Sequence, residues 1–379
     1  MTLIIQRLLL PLLLTLSLNI GAQGPAAPPP PELNVKGYLL IDFYSGRSLA
    51  EFNADERLEP ASLTKIMTAY TVFRELASGR IKLSDPVMIS ENAWRTGGSK
   101  MFIEVGKQVV LEDLLKGMMI QSGNDASVAL AEYVAGKVES FANLMNANAQ
   151  RLGMTNSHFT NPNGLPDPEL YTTARDIARV TRALIREFPQ YYTWYSLPEF
   201  TYNGITQQNR NPLLKRDPTA DGVKTGYTRA AGYCLVGSAK RGDMRLISVV
   251  MGAPSPKARA EASLALLNYG FRLYEADKLY PVTQPLVKLR VWAGEREEVA
   301  AVPQWDVVAT IPRGQYGQLN AYVEKLPNIE APLTRGDRLG DIVVRLGEEE
   351  ILRVPLVAFE DLPKGGFWRQ AKDSLLRLF

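Results

Sequence analysis

Gly37-Tyr-Leu-Leu-Ile-Asp-Phe-Tyr-Ser-Gly-Arg-Ser-Leu-Ala-Glu-Phe52 holds two β-prone runs on either side of the turn signal Tyr44-Ser-Gly46, and it reads as a hairpin. The period then changes. Apolar residues recur at helical spacing over 63–76, 111–119, 126–134, 141–152 and 174–185. Strand character returns in Val223-Lys-Thr-Gly-Tyr227, Gly232-Tyr-Cys-Leu-Val-Gly-Ser-Ala239 and Arg245-Leu-Ile-Ser-Val-Val-Met251, the last two joined by the tight-turn sequence Lys240-Arg-Gly-Asp243. A closing helix is expected over 258–274. Strands at both ends with helices between them predict an α+β unit, an antiparallel sheet covered by helices, in which the terminal strands pair to complete the sheet.

At 379 residues the chain has room for a second domain. Beyond 279 the pattern becomes short alternating runs, Val287-Lys-Leu-Arg-Val-Trp292, 307–311, 342–346 and 351–357, which predicts a small all-β sandwich over 279–362. At the other end, Arg7 precedes the apolar run 8–18, and the small residues Gly21 and Ala22 offer a cleavage point, so 1–22 reads as a secretory signal peptide. The rival, a permanent anchor, is disfavoured because the run falls short of the ~20 residues that span a bilayer. Residues 23–32, with four consecutive prolines at 28–31, form an extended spacer ahead of the catalytic unit, 33–278.

The charge is nearly balanced, 43 Lys and Arg against 40 Asp and Glu, which excludes the broad basic face of a nucleic-acid binder. One cysteine, Cys234, cannot form an intrachain disulfide, and its strand-like neighbours predict a buried small hydrophobe. One histidine, His158, leaves no typical zinc set, and no cofactor is implied.

Three short elements carry the chemistry. In Pro60-Ala-Ser-Leu-Thr-Lys65 the three-residue step from Ser62 to Lys65 places a hydroxyl and an amine on one helical face. Serine needs an adjacent proton acceptor to become a nucleophile, and lysine serves as one when desolvation or a nearby cation lowers its pKa. In Gln121-Ser-Gly-Asn124, at a loop before a helix, Ser122 can relay a proton to a leaving amine and the Asn124 amide can donate to and accept from a peptide. On the presumed strand Val223-Lys-Thr-Gly-Tyr227, Lys224 supplies positive potential, Thr225 can bind a terminal carboxylate, and Gly226 lets a peptide approach as an added strand. Ser-x-Asn alone is uninformative, since it recurs at Ser17-Leu-Asn19 and Ser90-Glu-Asn92. The ordered set of three is what has weight.

That set resembles the penicillin-binding proteins and serine β-lactamases. Ser122-Gly-Asn124 in place of the lactamases' Ser-Asp-Asn, with Trp94-Arg-Thr-Gly-Gly-Ser-Lys-Met101, Gln207-Gln-Asn-Arg-Asn211 and Met244-Arg-Leu-Ile-Ser248, is similar to the low-molecular-mass serine D-alanyl-D-alanine carboxypeptidases. The resemblance implies a β-lactamase/transpeptidase-like fold and an acyl-enzyme on Ser62. Peptidoglycan stem peptides would be the substrate and β-lactams covalent inhibitors. It also implies an oxyanion hole from the backbone N–H groups of Ser62 and Tyr227. Tyr227 stands where relatives often have histidine. Arg259 matches a position that helps hold the substrate carboxylate, the bland alternative being a surface arginine paired with Glu261, and Arg210 is a weaker candidate for the same cleft.

Three rival activities use the same residues. A β-lactamase of the glutamate-deacylating kind needs such a residue in Asn161-Pro-Asn-Gly-Leu-Pro-Asp-Pro-Glu-Leu170, where Glu169 has no surrounding pattern to mark it. A D,D-endopeptidase shares every catalytic group. A non-catalytic wall-binding or morphogenetic protein has no need of the intact set. A Ser-His-Asp triad through His158 is disfavoured because Ser62 already has a lysine partner one helical turn away.

Within 363–379, Trp368, Ala371, Leu375 and Leu378/Phe379 fall on one helical face, with Arg369, Lys372 and Arg377 off it. This predicts an amphipathic helix lying in a membrane surface, on the periplasmic face of the inner membrane, with docking on the protein itself as the alternative.

Overall fold

The computed structural model describes residues 28–376. The expected signal peptide, the first residues of the proline spacer, and Arg377, Leu378 and Phe379 lie outside the described residues.

Strand β1 (Gly37–Asp42) pairs with β2 (Ser48–Phe52) as the expected hairpin. Three later strands, β3 (Ala220–Thr228), β4 (Gly232–Arg241) and β5 (Met244–Ala253), complete an antiparallel sheet in the order β2-β1-β5-β4-β3. The first strand therefore closes against the last, with Tyr38 opposite Val250 and Leu40 opposite Ser248. β1 is apolar on both sides because both faces of the sheet are covered. Leu39 and Ile41 enter the core beneath helices α1 (Thr64–Ala77), α3 (Asn124–Ala135), α4 (Val138–Arg151) and α5 (Ala174–Glu187). Tyr38 and Leu40 face Leu266, Leu267 and Phe271 of α6 (Pro256–Leu273), the closing helix, which starts with a Ser255 cap and a proline in its first turn.

Two local departures from regular helix sit next to the chemistry. The helix containing Lys65 starts at Thr64, one residue later than its apolar pattern, because Ala61–Leu63 form a tighter 3-10 turn, with Ala61 at a left-handed φ of 46°. The run expected as one helix over 111–119 ends its α geometry at Lys116 (α2, Leu111–Lys116) and widens into a π turn, Gly117–Gln121. A Cβ on Gly117 would lie 2.4 Å from Met101 Sδ, so the turn packs closely against the Met101 side chain. The widened turn delivers Ser122 in a left-handed conformation, φ 67°.

The second unit is all β. Its five-stranded sheet runs β7 (Val287–Arg290), β8 (Glu298–Pro303), β12 (Glu349–Ala358), β11 (Arg338–Leu346) and β10 (Leu319–Lys325), and a separate pair joins β6 (Tyr274–Tyr280) to β9 (Val307–Pro312). Val299, Ile311, Ile342, Val344 and Leu356 fill the core between them. A short helix, α7 (Phe367–Leu376), follows.

The two units meet at a buried polar contact. Asp42, at the end of β1, accepts from Ser45 N (2.7 Å) and Ser45 Oγ (2.6 Å) and, across the junction, from Thr310 Oγ1 of β9 (2.7 Å). Lys278 of β6 adds a 3.6 Å ion pair to Asp243 across the junction and is itself held by Asp306 of its own unit at 2.8 Å. A buried carboxylate that loses a hydrogen-bond donor bears the desolvation cost of the bare oxygen. Thr310→Val therefore lowers stability by about 1–3 kcal/mol in urea unfolding, while Thr206→Val, which removes an exposed hydroxyl paired with Thr201 Oγ1, leaves it unchanged.

Candidate active site

Ser62 lies in the 3-10 turn at the floor of a cleft of about 520 Å³. Ser122, Asn124, Thr225, Gly226, Tyr227, Arg210 and Arg259 line the same cleft. Residues from five separate stretches of sequence thus converge on one space. Lys65 and Lys224 stand behind that lining, 1% and 2% exposed.

Lys65 Nζ is 3.0 Å from Ser62 Oγ, 2.6 Å from Asn124 Oδ1 and 2.7 Å from the Asn163 carbonyl oxygen. The partner count matters. A neutral amine has two N–H bonds and one lone pair, so donating to Asn124 and Asn163 leaves the lone pair for the Ser62 hydroxyl proton. Burial, reinforced by the Arg210 guanidinium and opposed by the Asp125 carboxylate, pulls the Lys65 ammonium down to about 7. Near neutral pH the lysine is therefore poised as a proton acceptor.

The walls are held by backbone. Asp125, buried at the start of α3, accepts from the N–H groups of Met101 and Phe102, both at 3.0 Å, and so fixes the loop that carries Gly98 and Ser99 into the cleft. Asn124 uses one amide N–H on the Gly97 carbonyl at 2.7 Å. That leaves a second N–H and one oxygen lone pair for a bound peptide. Gly164, φ +80°, packs against the nucleophile's turn so closely that a Cβ there would lie 1.8 Å from the Ala61 carbonyl oxygen.

β3 is the edge strand of its sheet, which leaves its outer side available to an added peptide strand. Gly226 brings the strand close to the serine, since a Cβ there would sit 3.2 Å from Ser62 N. The 54%-exposed Tyr227 stacks on Tyr233, centroids 4.3 Å apart. Arg259 donates to the carbonyls of Gly226 (3.0 Å) and Cys234 (3.3 Å) and lies over the Tyr233 ring, so it is locked to the strand and is not paired with Glu261. Lys224 donates to the Thr225 carbonyl at 3.0 Å. Burial, then the charges of Lys65, Arg210 and Arg259, pushes its ammonium well below the usual lysine range, so a bound carboxylate would favour its protonation.

His158 does not line the cleft. Its Nδ1 is 2.8 Å from the Glu169 carbonyl oxygen in a separate loop contact. Glu169 itself is exposed and outside the cleft lining. Cys234 is fully buried on β4, where burial raises its thiol to about 11. Sequence reasoning missed Asn163, Gly164 and Tyr233; Pro162-Asn-Gly164 is a visible turn signal, but nothing local ties it to Ser62.

Residues 24–255 match the family model described as D-alanyl-D-alanine carboxypeptidase, and 274–364 match that of the penicillin-binding protein 5 C-terminal domain. The D-alanyl-D-alanine carboxypeptidase DacC of Escherichia coli (strain K12) is 44% identical over 357 residues, covering 92% of this chain and 89% of the relative. Penicillin binding protein 5 from Haemophilus influenzae superposes with a TM-score of 0.74 at 41% identity, over 88% of this chain and 99% of that one. Penicillin-binding protein D2 from Listeria monocytogenes, solved in an ampicillin-bound form, is 29% identical with a TM-score of 0.60, over 64% of this chain and all of that one.

With no imidazole in the cleft, acylation should follow Lys65. Its rate constant rises with pH to a plateau above an apparent midpoint near 7, the value burial gives the amine. Arg210→Gln removes a repelling cation and moves the midpoint upward, which stopped-flow acylation across pH 5.5–9 reads directly.

Proposed function

The chain belongs to the D-alanyl-D-alanine carboxypeptidase family and is a serine-type carboxypeptidase, and we propose that it removes the terminal D-alanine of peptidoglycan stem pentapeptides through an ester on Ser62. One observation carries the residue assignment: the Ser62 hydroxyl lies 3.0 Å from a buried amine whose pKa is near neutrality.

Ser62 Oγ attacks the carbonyl carbon of the D-Ala-D-Ala bond while its proton passes to Lys65. Charge develops on the carbonyl oxygen, and the N–H groups of Ser62 and Tyr227 are the donors that would receive it. The close approach of β3 to the serine's turn at Gly226 supports that pairing. The C–N bond then breaks, and Ser122 relays the proton to the leaving amine of D-alanine. Thr225, Arg259 and Lys224 form the cationic, hydroxyl-bearing end of the cleft that suits a substrate's terminal carboxylate. Asn124 orients both Lys65 and the peptide. Water returns along the same proton path and frees the enzyme.

β-Lactams acylate the same serine, as the ampicillin-bound relative supports. The exposed Glu169 offers no deacylating carboxylate in the cleft, which favours slow release over β-lactamase turnover. An endopeptidase reading would keep every group named here and differ in how much acceptor the cleft admits.

We further propose that the protein is exported and sits on the outer face of the inner membrane. α7 is fixed by its polar side: the buried Asp373 accepts from Ala293 N at 2.8 Å, and Arg369 and Lys372 pair with Glu297 at 2.7 and 3.4 Å. Those two cations are thus engaged within the protein, contrary to the lipid-drawing role expected of them. The exposed side of α7 mixes Gln370, Lys372 and Ser374 with large apolar groups, Phe367 and Trp368 being 76% and 84% exposed and Leu375 and Leu376 60% and 45%. A docked helix with an aromatic outer face supports shallow insertion into a bilayer surface. Among the described residues no helix is long and apolar enough to cross a membrane.

Mature protein should release free D-alanine from a pentapeptide ending in D-Ala-D-Ala, and Ser62→Ala should lower the rate by about a thousandfold or more. Equal release by both proteins would remove Ser62 from the mechanism. In flotation with phosphatidylethanolamine–phosphatidylglycerol vesicles, wild type should rise with the lipid and Phe367→Ser/Trp368→Ser/Leu375→Ser should stay below, with D-alanine release unchanged. Equal flotation of the two would refute the anchor.

A further inference from the structure

A second crevice, of about 540 Å³, opens where α5 faces the β-domain, and it shares no lining residue with the cleft around Ser62. Arg182 and Arg186, one turn apart on α5, form one wall, and Trp305, Arg338 and Arg353 lie among the residues opposite. The β-domain arginines are matched by carboxylates: Arg338 by Asp341 at 2.6 Å and Arg353 by Glu350 at 2.8 Å.

The α5 pair is not matched. Among the described residues neither guanidinium bonds a carboxylate. Arg182 donates to the Phe43 and Tyr44 carbonyls, both at 2.6 Å, and Arg186 to the Tyr44 carbonyl at 3.0 Å. The nearby acids are engaged elsewhere, Asp42 with Ser45 and Thr310, Glu187 with Tyr70 and Arg151. Burial pushes both guanidiniums down, Arg186 to about 10 with Arg182 repelling it. Arg186 also lies over the Trp305 ring at 4.4 Å, and the indole N–H is buried without a partner. Two adjacent half-buried cations and an orphaned donor are costly to keep unless an anion completes them.

We propose that this crevice is a second, non-catalytic binding site for the wall polymer, taking the terminal carboxylate of a stem peptide other than the one being cut. The proposal rests on the reading of the chain as a stem-peptide carboxypeptidase. Every stem whose terminal carbonyl is not consumed in a cross-link, trimmed or not, ends in a carboxylate, which a guanidinium fork takes in bidentate fashion. Holding one stem of an insoluble polymer raises the effective concentration of its neighbours at Ser62. A flat anionic lipid surface fits less well, because the site is recessed between two units and Asp341 and Glu350 belong to its walls.

The test uses full-length mature protein first acylated by penicillin at Ser62. If penicillin fails to acylate, the catalytic reading falls, and that result stands apart from the titration that follows. The acylated protein is titrated calorimetrically with a disaccharide tetrapeptide, in free-acid and C-terminally amidated forms. The free acid should bind, the amide about tenfold more weakly, and Arg182→Gln/Arg186→Gln should lose the free acid by about tenfold or more. The same variant should release D-alanine from soluble pentapeptide at the wild-type rate but several-fold more slowly from intact sacculi. Should it fail to fold, Trp305→Phe keeps the ring against Arg186 and removes only the N–H, and it should weaken binding severalfold. Undiminished binding by whichever variant folds, equal affinity for acid and amide, no binding to acylated protein, or loss of anionic-vesicle binding in its place would overturn the proposal.

Discussion

The chemistry proposed for this protein depends on keeping one amine out of water. Lys65 is held beneath the serine's turn by an amide oxygen from α3 and a carbonyl from the loop at Asn163. Each partner comes from a separate part of the chain, and together they satisfy the amine's two N–H bonds without offering it a carboxylate. A paired carboxylate would have kept the lysine charged and useless as a base. Two neutral acceptors keep it hydrogen-bonded while burial depresses its pKa. Asp125, the nearest acid, spends its oxygens on the backbone of Met101 and Phe102 and acts on Lys65 only from a distance.

The rest of the catalytic unit serves that burial. Closing β1 against β5 makes a sheet covered on both faces, and α1 can then run through the core with Lys65 on its first turn. Leaving β3 at the sheet edge puts Gly226 against the serine's N–H and presents an open strand to substrate. Non-glycine left-handed residues at Ala61 and Ser122 place both hydroxyls where a regular helix would not. Strain of that kind persists only where surrounding contacts over-determine it, here through Gly164, Met101 and the edge strand.

The β-domain joins the catalytic unit through groups that the reaction does not use. Asp42 with Thr310 and Asp243 with Lys278 make a polar joint, and the arginine-walled crevice is a further contact region of the two units. At the far end, α7 is tied down by Asp373 and turns its aromatic side outward. Substrate cleft, crevice and outer helix face are thus three separate surfaces on one frame.

The sequence by itself determined whatever depends on neighbours within a turn or two: the 37–52 hairpin, the helix of Lys65, the pairing of Ser62 with Lys65, and the ordered trio that Ser122 and Lys224 complete. Periodicity and i,i+3 geometry are local, so they are legible without a fold. Strands β8 and β10 escaped that reading, β10 because its alternating residues are only partly buried, so the pattern is faint. Only the tertiary structure decided that Asn163 and Gly164 brace the Ser62 turn, that the Asn124 amide oxygen meets Lys65, that Arg259 is locked to strand carbonyls, and that Arg182, Arg186 and Trp305 share a crevice. Those hydrogen bonds join residues 25 to 98 positions apart in sequence. Their partners are chosen by the packing of whole elements, and burial, which sets the pKa of Lys65, exists only once that packing is complete.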